Sequence, residues 1–392
     1  MNNRKPGSRA VLTTGLAVLA AFLVAGCGRL PSLEGRVGST ALPPSPETRL
    51  ARAIDPLAAQ HPGLSGVYPL ADGRGAFATR ALLVEAAERS LDVQYYIWHD
   101  DISGTLLLDA LRRASDRGVR VRMLVDDNGI AGLDPVLLAL DAGPSFEVRL
   151  YNPFLQRQLR PLGYLTDFRR LNRRMHNKSL TADDVATVVG GRNVGDEYFA
   201  AATHVNFSDL DLLAVGPVVG EVSSVFDRYW NSASAYPIAS IVDGTPGEAR
   251  EFIGARLESL GGAAAIDEYV QALRASIVVT DLLQGRLPLE WAVTRVIADD
   301  PAKTLATGAS REESTMIPRL AEAIGQPAER LDIVSPYFVP ASAGTRAFAE
   351  LAGRGVEVRV LTNSLAATDV AAVHAGYAKR RKALLQSGVT LH

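Results

Sequence analysis

The chain has 392 residues, of which 47% are hydrophobic and 21% charged. That is a globular composition with apolar material for more than one core, and the three Trp and 34 Gly argue against a fibrous or disordered class. A net charge of -2 excludes a reading built on whole-molecule attraction to nucleic acid, so affinity for anions has to come from local patches.

Arg4, Lys5 and Arg9 precede an apolar run from Val11 to Ala25, closed by Gly26 and Cys27. A basic start, an apolar stretch and small residues at its end describe an export signal. The run is marginal for crossing a hydrocarbon core roughly 30 Å thick. Cys27 is the single cysteine, so no internal disulfide can form. Leu23-Val24-Ala25-Gly26-Cys27 resembles a bacterial lipobox, which implies cleavage before Cys27 and lipidation of that residue. The bland alternative is a plain anchor with an incidental cysteine. Gly28, rather than Asp, implies by the same resemblance release to the outer membrane. The expectation is a protein of the cell envelope, lipid-anchored outside the cytoplasm on the periplasmic face of that membrane. Residues 28–64, with Pro43-Pro44-Ser45-Pro46, read as a flexible tether.

The body contains an internal repeat. In copy one a helical segment, 76–89, leads to the apolar run Leu91-Asp92-Val93-Gln94-Tyr95-Tyr96-Ile97-Trp98. A helix from Ser103-Gly104-Thr105 to Arg117-Gly118 follows, then the strand from Val119 to Val125. In copy two Leu331-Asp332-Ile333 matches Leu91-Asp92-Val93, Gly344-Thr345 matches Gly104-Thr105, and Arg354-Gly355 matches Arg117-Gly118. Val356-Glu357-Val358-Arg359-Val360-Leu361 matches the second strand. Alternating strands and helices predict an α/β fold of two similar halves, each a mixed, largely parallel sheet flanked by helices. The expected layout is a signal at 1–27, the tether at 28–64 and a first half at 65–240. A helical inter-half segment follows at 241–290, and the start of a second half at 291–392.

Met175-His176-Asn177-Lys178-Ser179-Leu180 reads as a strand, which puts His176 and Lys178 on one face. Thr181-Ala182-Asp183-Asp184 is a turn, Val185 to Val189 the hairpin partner, and Gly190-Gly191-Arg192-Asn193 brings a carboxamide to the same volume. These groups suit a phosphodiester. Lys178 and Asn193 can hold its non-bridging oxygens, and His176 can attack phosphorus. A second acid has to protonate the leaving alcohol. With His and Lys supplying positive charge, the chemistry calls for no metal and no cofactor.

The pattern resembles the phospholipase D superfamily, whose motif H-x-K-x4-D-x6-G-S/G-x-N is met at His176, Lys178, Asp183, Gly190, Gly191 and Asn193. The resemblance implies His176 as nucleophile, Lys178 and Asn193 as phosphate ligands and Asp183 as a structural carboxylate. Gly191 stands where many members carry Ser. An acidic residue that orients the nucleophilic His is expected in Asn206-Phe207-Ser208-Asp209-Leu210-Asp211, with Asp209 first and Asp211 second. Four segments further resemble the bacterial cardiolipin synthase branch: Gln94 to Trp98, Gly191-Arg192-Asn193 with Tyr198-Phe199, Asp299-Asp300-Pro301-Ala302-Lys303, and His374-Ala375-Gly376-Tyr377. This implies phospholipid substrates, with nucleic acid disfavoured. Seven basic residues from Arg157 to Lys178, against the single acid Asp167, read as headgroup or membrane-surface contact. Lys379-Arg380-Arg381-Lys382 reads as a solvated helix face.

The family site uses two such motifs, one from each half. Val389-Thr390-Leu391-His392 aligns with Val148-Arg149-Leu150-Tyr151, ahead of where a second motif would fall, and the sequence holds no second H-x-K. The expectation is a chain truncated before that motif. Its site would be completed by a missing C-terminal half or by a second chain, and it would be inactive or partner-dependent alone. A nuclease of the same superfamily and a non-catalytic lipid-binding lipoprotein are the alternatives.

Overall fold

The computed structural model describes residues 29–392 except 203, 204, 309, 311, 312, 369 and 370. Cys27 and the signal-like segment lie outside the described residues. Among the described residues no helix is long and apolar enough to cross a membrane. The chain divides into two compact units, one running to Thr315 and one starting at Met316.

The first unit has strands β1 (Ser65–Leu70), β2 (Ser90–Ile97), β3 (Arg120–Gly129), β4 (Phe146–Tyr151), β5 (Ser179–Ala182), β6 (Ala186–Gly190), β7 (Asp211–Val215), β8 (Ala235–Pro237) and β9 (Glu290–Ala292). They form one sheet in the order β8-β4-β3-β2-β5-β6-β7-β1-β9. Its helices are α1 (Arg49–Ala58), α2 (Gly73–Ala86), α3 (Ile102–Asp116), α4 (Asp134–Asp141), α5 (Arg160–Leu171), α6 (Pro217–Trp230), α7 (Ala249–Ser259), α8 (Gly262–Ala275) and α9 (Val278–Leu283). The last three fill the segment expected to be helical between the halves.

The fold is α/β, as expected, and the sheet is mixed. β2, β3 and β4 are parallel because α3 and α4 carry the chain back between them. The remaining pairings are antiparallel. The parallel arrangement therefore belongs to the repeated strand–helix–strand units, and short connections such as β5–β6 set the antiparallel part.

Leu91, Val93 and Tyr95 of β2 enter a core with Phe77, Leu107, Val121, Leu180 and Leu213. The other face of the same strands carries buried charge. Arg122 pairs with Asp92 at 2.7 Å and with Asp227 of α6 at 2.8 Å, and stands over the Phe226 ring. Arg149 donates to the Trp230 carbonyl at 2.8 Å with its guanidinium 4.1 Å from that indole. Buried charges are tolerated when every proton finds such a partner.

Two boundaries differ from the sequence expectation. Residues 29–64 do not hang free as a tether. Arg36 donates to the carbonyls of Asn231, Ser232 and Ala235, and Ser39 and Ala41 bond Asn231 and Asp227. α1, capped by Thr48, buries Leu50, Ala51 and Ile54. That spacing is a short helical face, hidden in the sequence behind the Pro-rich run. Residues 291–306, expected with the second half, pack on the first unit. β9 pairs with β1, and Val296 and Ala298 pack against a cluster of Tyr151, Met175, Tyr229 and Trp230.

The second unit has α10 (Ile317–Ile324), α11 (Ala341–Gly353) and α12 (Ala371–Gln386) with the parallel strands β10 (Arg330–Val334), β11 (Glu357–Leu361) and β12 (Thr390–Leu391). The repeat extends to single bonds. Arg359 donates to Asp332 at 2.7 Å, as Arg122 does to Asp92. Thr345 bonds the carbonyl four residues back, as Thr105 does. Gly118 and Gly355 end their helices with φ of 88° and 89°, a conformation that favours glycine.

Candidate active site

β5 and β6 meet at a two-residue turn, Asp183-Asp184, with φ of 54° and 55°. This turn form matches the twist of a hairpin. The buried Asp183 carboxylate accepts the N–H groups of Glu88, Arg89 and Ser90 at 3.0, 2.7 and 3.0 Å. It sits at the opposite end of β5 from His176. Asp183 thus holds the hairpin on β2, with Leu91 opposite Ala182 and Gln94 opposite Ser179. Its position suits the structural role and not a place at the reacting centre.

Regular pairing begins at Ser179, so His176 and Lys178 stand in a non-regular lead-in rather than within the expected strand. Side chains fix that lead-in. The Met175 N–H donates to Asp126 at 2.9 Å, and Arg174 reaches Asp126 at 3.2 Å and the Asn152 carbonyl at 2.9 Å. The His176 ring stacks on Tyr96 of β2 with centroids 3.9 Å apart. Lys178 Nζ donates to the His176 carbonyl at 2.7 Å and lies 3.5 Å from His176 Nδ1. Asn193 is buried, and its Oδ1 accepts the Ile97 N–H at 3.1 Å. The structure thus gathers His176, Lys178 and Asn193 around the C-terminal end of β2, where open α/β sheets commonly bind ligands.

Charge and solvent set the protonation states. Desolvation of the ring, then Lys178 and Lys303, push the His176 pKa down to about 4, with Asp299 opposing them. The imidazole is neutral at pH 7 and keeps a lone pair. Desolvation lowers Lys178 to about 8 while Asp209 and Asp211 hold it up. Lys178 is therefore still mostly charged at pH 7.

The sequence reading sets Asp209 or Asp211 beside His176, and the structure occupies both elsewhere. Asp209 folds over Gly191, where an added Cβ would stand 2.0 Å from its Oδ1, and accepts the Leu210 N–H at 2.8 Å. Its charge acts on Lys178. That close approach is a physical reason for glycine at 191. Asp211 is buried between Arg80 at 2.9 Å and Arg192 at 3.3 Å.

The carboxylate whose charge reaches the imidazole is Asp299, ion-paired with Lys303. Its loop is tied down locally. Tyr229 donates to the Asp299 carbonyl at 3.1 Å. Tyr151 bonds the Pro301 carbonyl at 3.1 Å and Thr304 Oγ1 at 2.6 Å. Sequence reasoning missed Tyr96, Asp126, Asp299 and Lys303. Segments 94–98 and 299–303 stood out by resemblance alone, and no spacing rule links them to His176.

The basic run is mostly engaged inside the unit. Arg157 and Arg160 pair with Asp134 and Asp127, Arg170 with Asp167, and Arg174 with Asp126. Arg173 donates to the carbonyls of Thr304 and Ala306. Among the described residues, His99, Asp101 and Glu197 could converge on a metal ion. Their atoms have other work: His99 pairs with Glu197 at 3.1 Å, and Asp101 caps α3 and accepts the Asp196 N–H.

Residues 81–230 and 320–392 match the family described as "Cardiolipin synthase, PLD-like domain". The chain is 52% identical to cardiolipin synthase C of Escherichia coli over 347 residues, 88% of this chain and 72% of that protein. It is 27% identical to cardiolipin synthase A of Pseudomonas entomophila over 75% of this chain and 50% of that protein. The crystal structure of phosphatidylserine synthase from Haemophilus influenzae superposes with a TM-score of 0.50 at 14% identity. That match covers 88% of this chain and 76% of that one and concerns the fold alone. Motif, fold and relatives agree: the chain belongs to the phospholipase D-like cardiolipin synthase family.

Proposed function

We propose that the protein transfers phosphatidyl groups between phospholipids through a covalent intermediate on His176. The observation that carries this reading is a neutral imidazole stacked on Tyr96 with the Lys178 ammonium beside it. A ring nitrogen of His176 attacks phosphorus, and the bond to the headgroup oxygen breaks. Lys178 and the Asn193 amide stabilise the charge on the non-bridging oxygens. A hydroxyl of the acceptor lipid then attacks the phosphatidyl-histidine and frees the ring. With water as acceptor the same steps give hydrolysis. Similarity to cardiolipin synthase C over most of the chain supports a phospholipid rather than nucleic acid as substrate.

The leaving alcohol needs a proton, and Lys178, the ammonium beside His176, is already assigned to the phosphate oxygens. We assign that proton to a second H-x-K-x4-D set, brought by a C-terminal half or a second chain. On this reading the two units belong to two similar halves, and the paired Asp–Arg bonds at 92–122 and 332–359 support it. The chain alone then turns over natural phospholipids poorly. We also take Cys27 to be lipidated, which anchors the protein outside the cytoplasm. Fatty-acid labelling in bacteria checks this: label is expected in the wild type and lost in Cys27→Ser, and label retained in that variant contradicts the anchor.

A substrate whose leaving group needs no proton isolates the first step. With phosphatidyl-p-nitrophenol the chain should release a burst of p-nitrophenolate stoichiometric with protein, slowed about 10³-fold or more in His176→Ala. An unchanged burst in the variant sinks His176 as nucleophile. A burst on a nucleotide p-nitrophenyl ester and none on the lipid favours the nuclease reading.

Titration of the His176 imidazole by NMR should give a midpoint near 4, against about 6.5 for an ordinary histidine. Lys303→Met removes a positive neighbour and should move the midpoint up. Asp299→Asn removes the opposing negative charge and should move it down. Shifts of the reverse sign contradict the electrostatic account.

A further inference from the structure

Helix α5 reverses the usual distribution of charge on a surface helix. Leu171 is its one buried residue. Leu159, Leu162, Leu165 and Phe168 are exposed, Leu165 at 83% and Phe168 at 58%, and Leu155 just before the helix is exposed too. The arginines run the other way. Arg157 and Arg160 on Asp134, and Arg170 on the Asn152 side chain, hold the segment to the body. The exposed apolar side chains are therefore presented by ion pairs and cannot collapse inward. Five large apolar side chains within 14 residues form a patch of the kind that marks an interaction surface.

The patch adjoins the site. Tyr164 of α5 donates to Asn128 at 3.0 Å. Asn128 precedes Gly129, which pairs with Ile97 next to Tyr96, on which His176 stacks. Of the basic residues in this stretch Arg169 is exposed, whereas Arg157, Arg160, Arg170 and Arg174 are ion-paired and mostly covered, with Asp167 the one acid between 157 and 178. An apolar face with the exposed Arg169 beside it complements an anionic bilayer, with acyl chains for the leucines and a headgroup for Arg169.

We infer that Leu155, Leu159, Leu162, Leu165 and Phe168 form a membrane-docking face that enters the headgroup–acyl boundary of an anionic bilayer and sets His176 at headgroup level. This rests on the reading of His176 as a phospholipid-reacting group. Apolar insertion contributes most of the binding, and the exposed Arg169 adds a preference for anionic lipid.

The test uses the full chain carrying Cys27→Ser and one new cysteine labelled with an environment-sensitive fluorophore, either Leu165→Cys or, as control, the exposed Gln60→Cys near the β9 edge. Vesicles of phosphatidylcholine with phosphatidylglycerol should blue-shift the probe at 165, and acyl-chain nitroxides should quench it. The probe at 60 should not respond, and pure phosphatidylcholine vesicles should give a weaker response at 165. The triple variant Leu162→Ser, Leu165→Ser, Phe168→Ser should bind these vesicles at least tenfold more weakly while keeping its burst on a short-chain phosphatidyl-p-nitrophenol. A probe at 165 that is already blue-shifted without vesicles means the face is covered by protein, from this chain or a second copy, and overturns the proposal. A burst with no quenching at 165 overturns the docking face and spares the reading of His176. Quenching without any His176-dependent burst does the reverse.

Discussion

Strand β5 is held on β2 in one register, and that register decides where His176 stands. Asp183 at the hairpin tip takes three backbone N–H groups from residues 88–90, directly ahead of β2. A slip of one residue would break those bonds and turn Leu180 and Ala182 out of the core. With the register fixed, Gln94 faces Ser179, and the residues just before Ser179 arrive at the end of β2 beside Tyr96. The carboxylate in the motif therefore serves the histidine from a distance, through backbone geometry.

Local desolvation and neighbouring charge then set the chemistry. Loss of solvent around the ring and two nearby ammonium groups keep the His176 imidazole neutral. Asp209 and Asp211 keep Lys178 charged against its own desolvation. The two acids that look from sequence like partners of the histidine act on the lysine, and the acid acting on the histidine comes from a loop far along the chain. Tyr229 links the two regions, since it packs in one cluster with Met175 and donates to the Asp299 carbonyl.

The parts of the fold legible in the sequence were those carried by local pattern. The match of Leu91-Asp92-Val93 to Leu331-Asp332-Ile333, and of Arg122 to Arg359, corresponds to the same Asp–Arg bond in each unit. The hairpin after Lys178 was legible because strand alternation and a turn lie within a few residues. Side-chain direction was not. Asp209 turns over Gly191 because its carboxylate bonds the next N–H, a preference that spacing does not encode. The role of the 299–303 loop depends on tertiary packing against Tyr151 and Tyr229. The arginine run looked like an open basic patch because its acids, Asp126, Asp127 and Asp134, lie on a different part of the chain. α1 was hidden by the prolines before it.

The account stands on His176 forming a bond to phosphorus. Acid- and base-quenched samples of the protein reacted with an activated phosphatidyl ester, digested and read by mass spectrometry, test that bond directly. Expected is an adduct on the peptide containing His176 that is labile to acid as a phosphoramidate and that keeps its P–N bond in base, where the acyl esters are lost and a glycerophospho group remains on the ring. An adduct on another residue, or none in a sample that has released its leaving group, would contradict it.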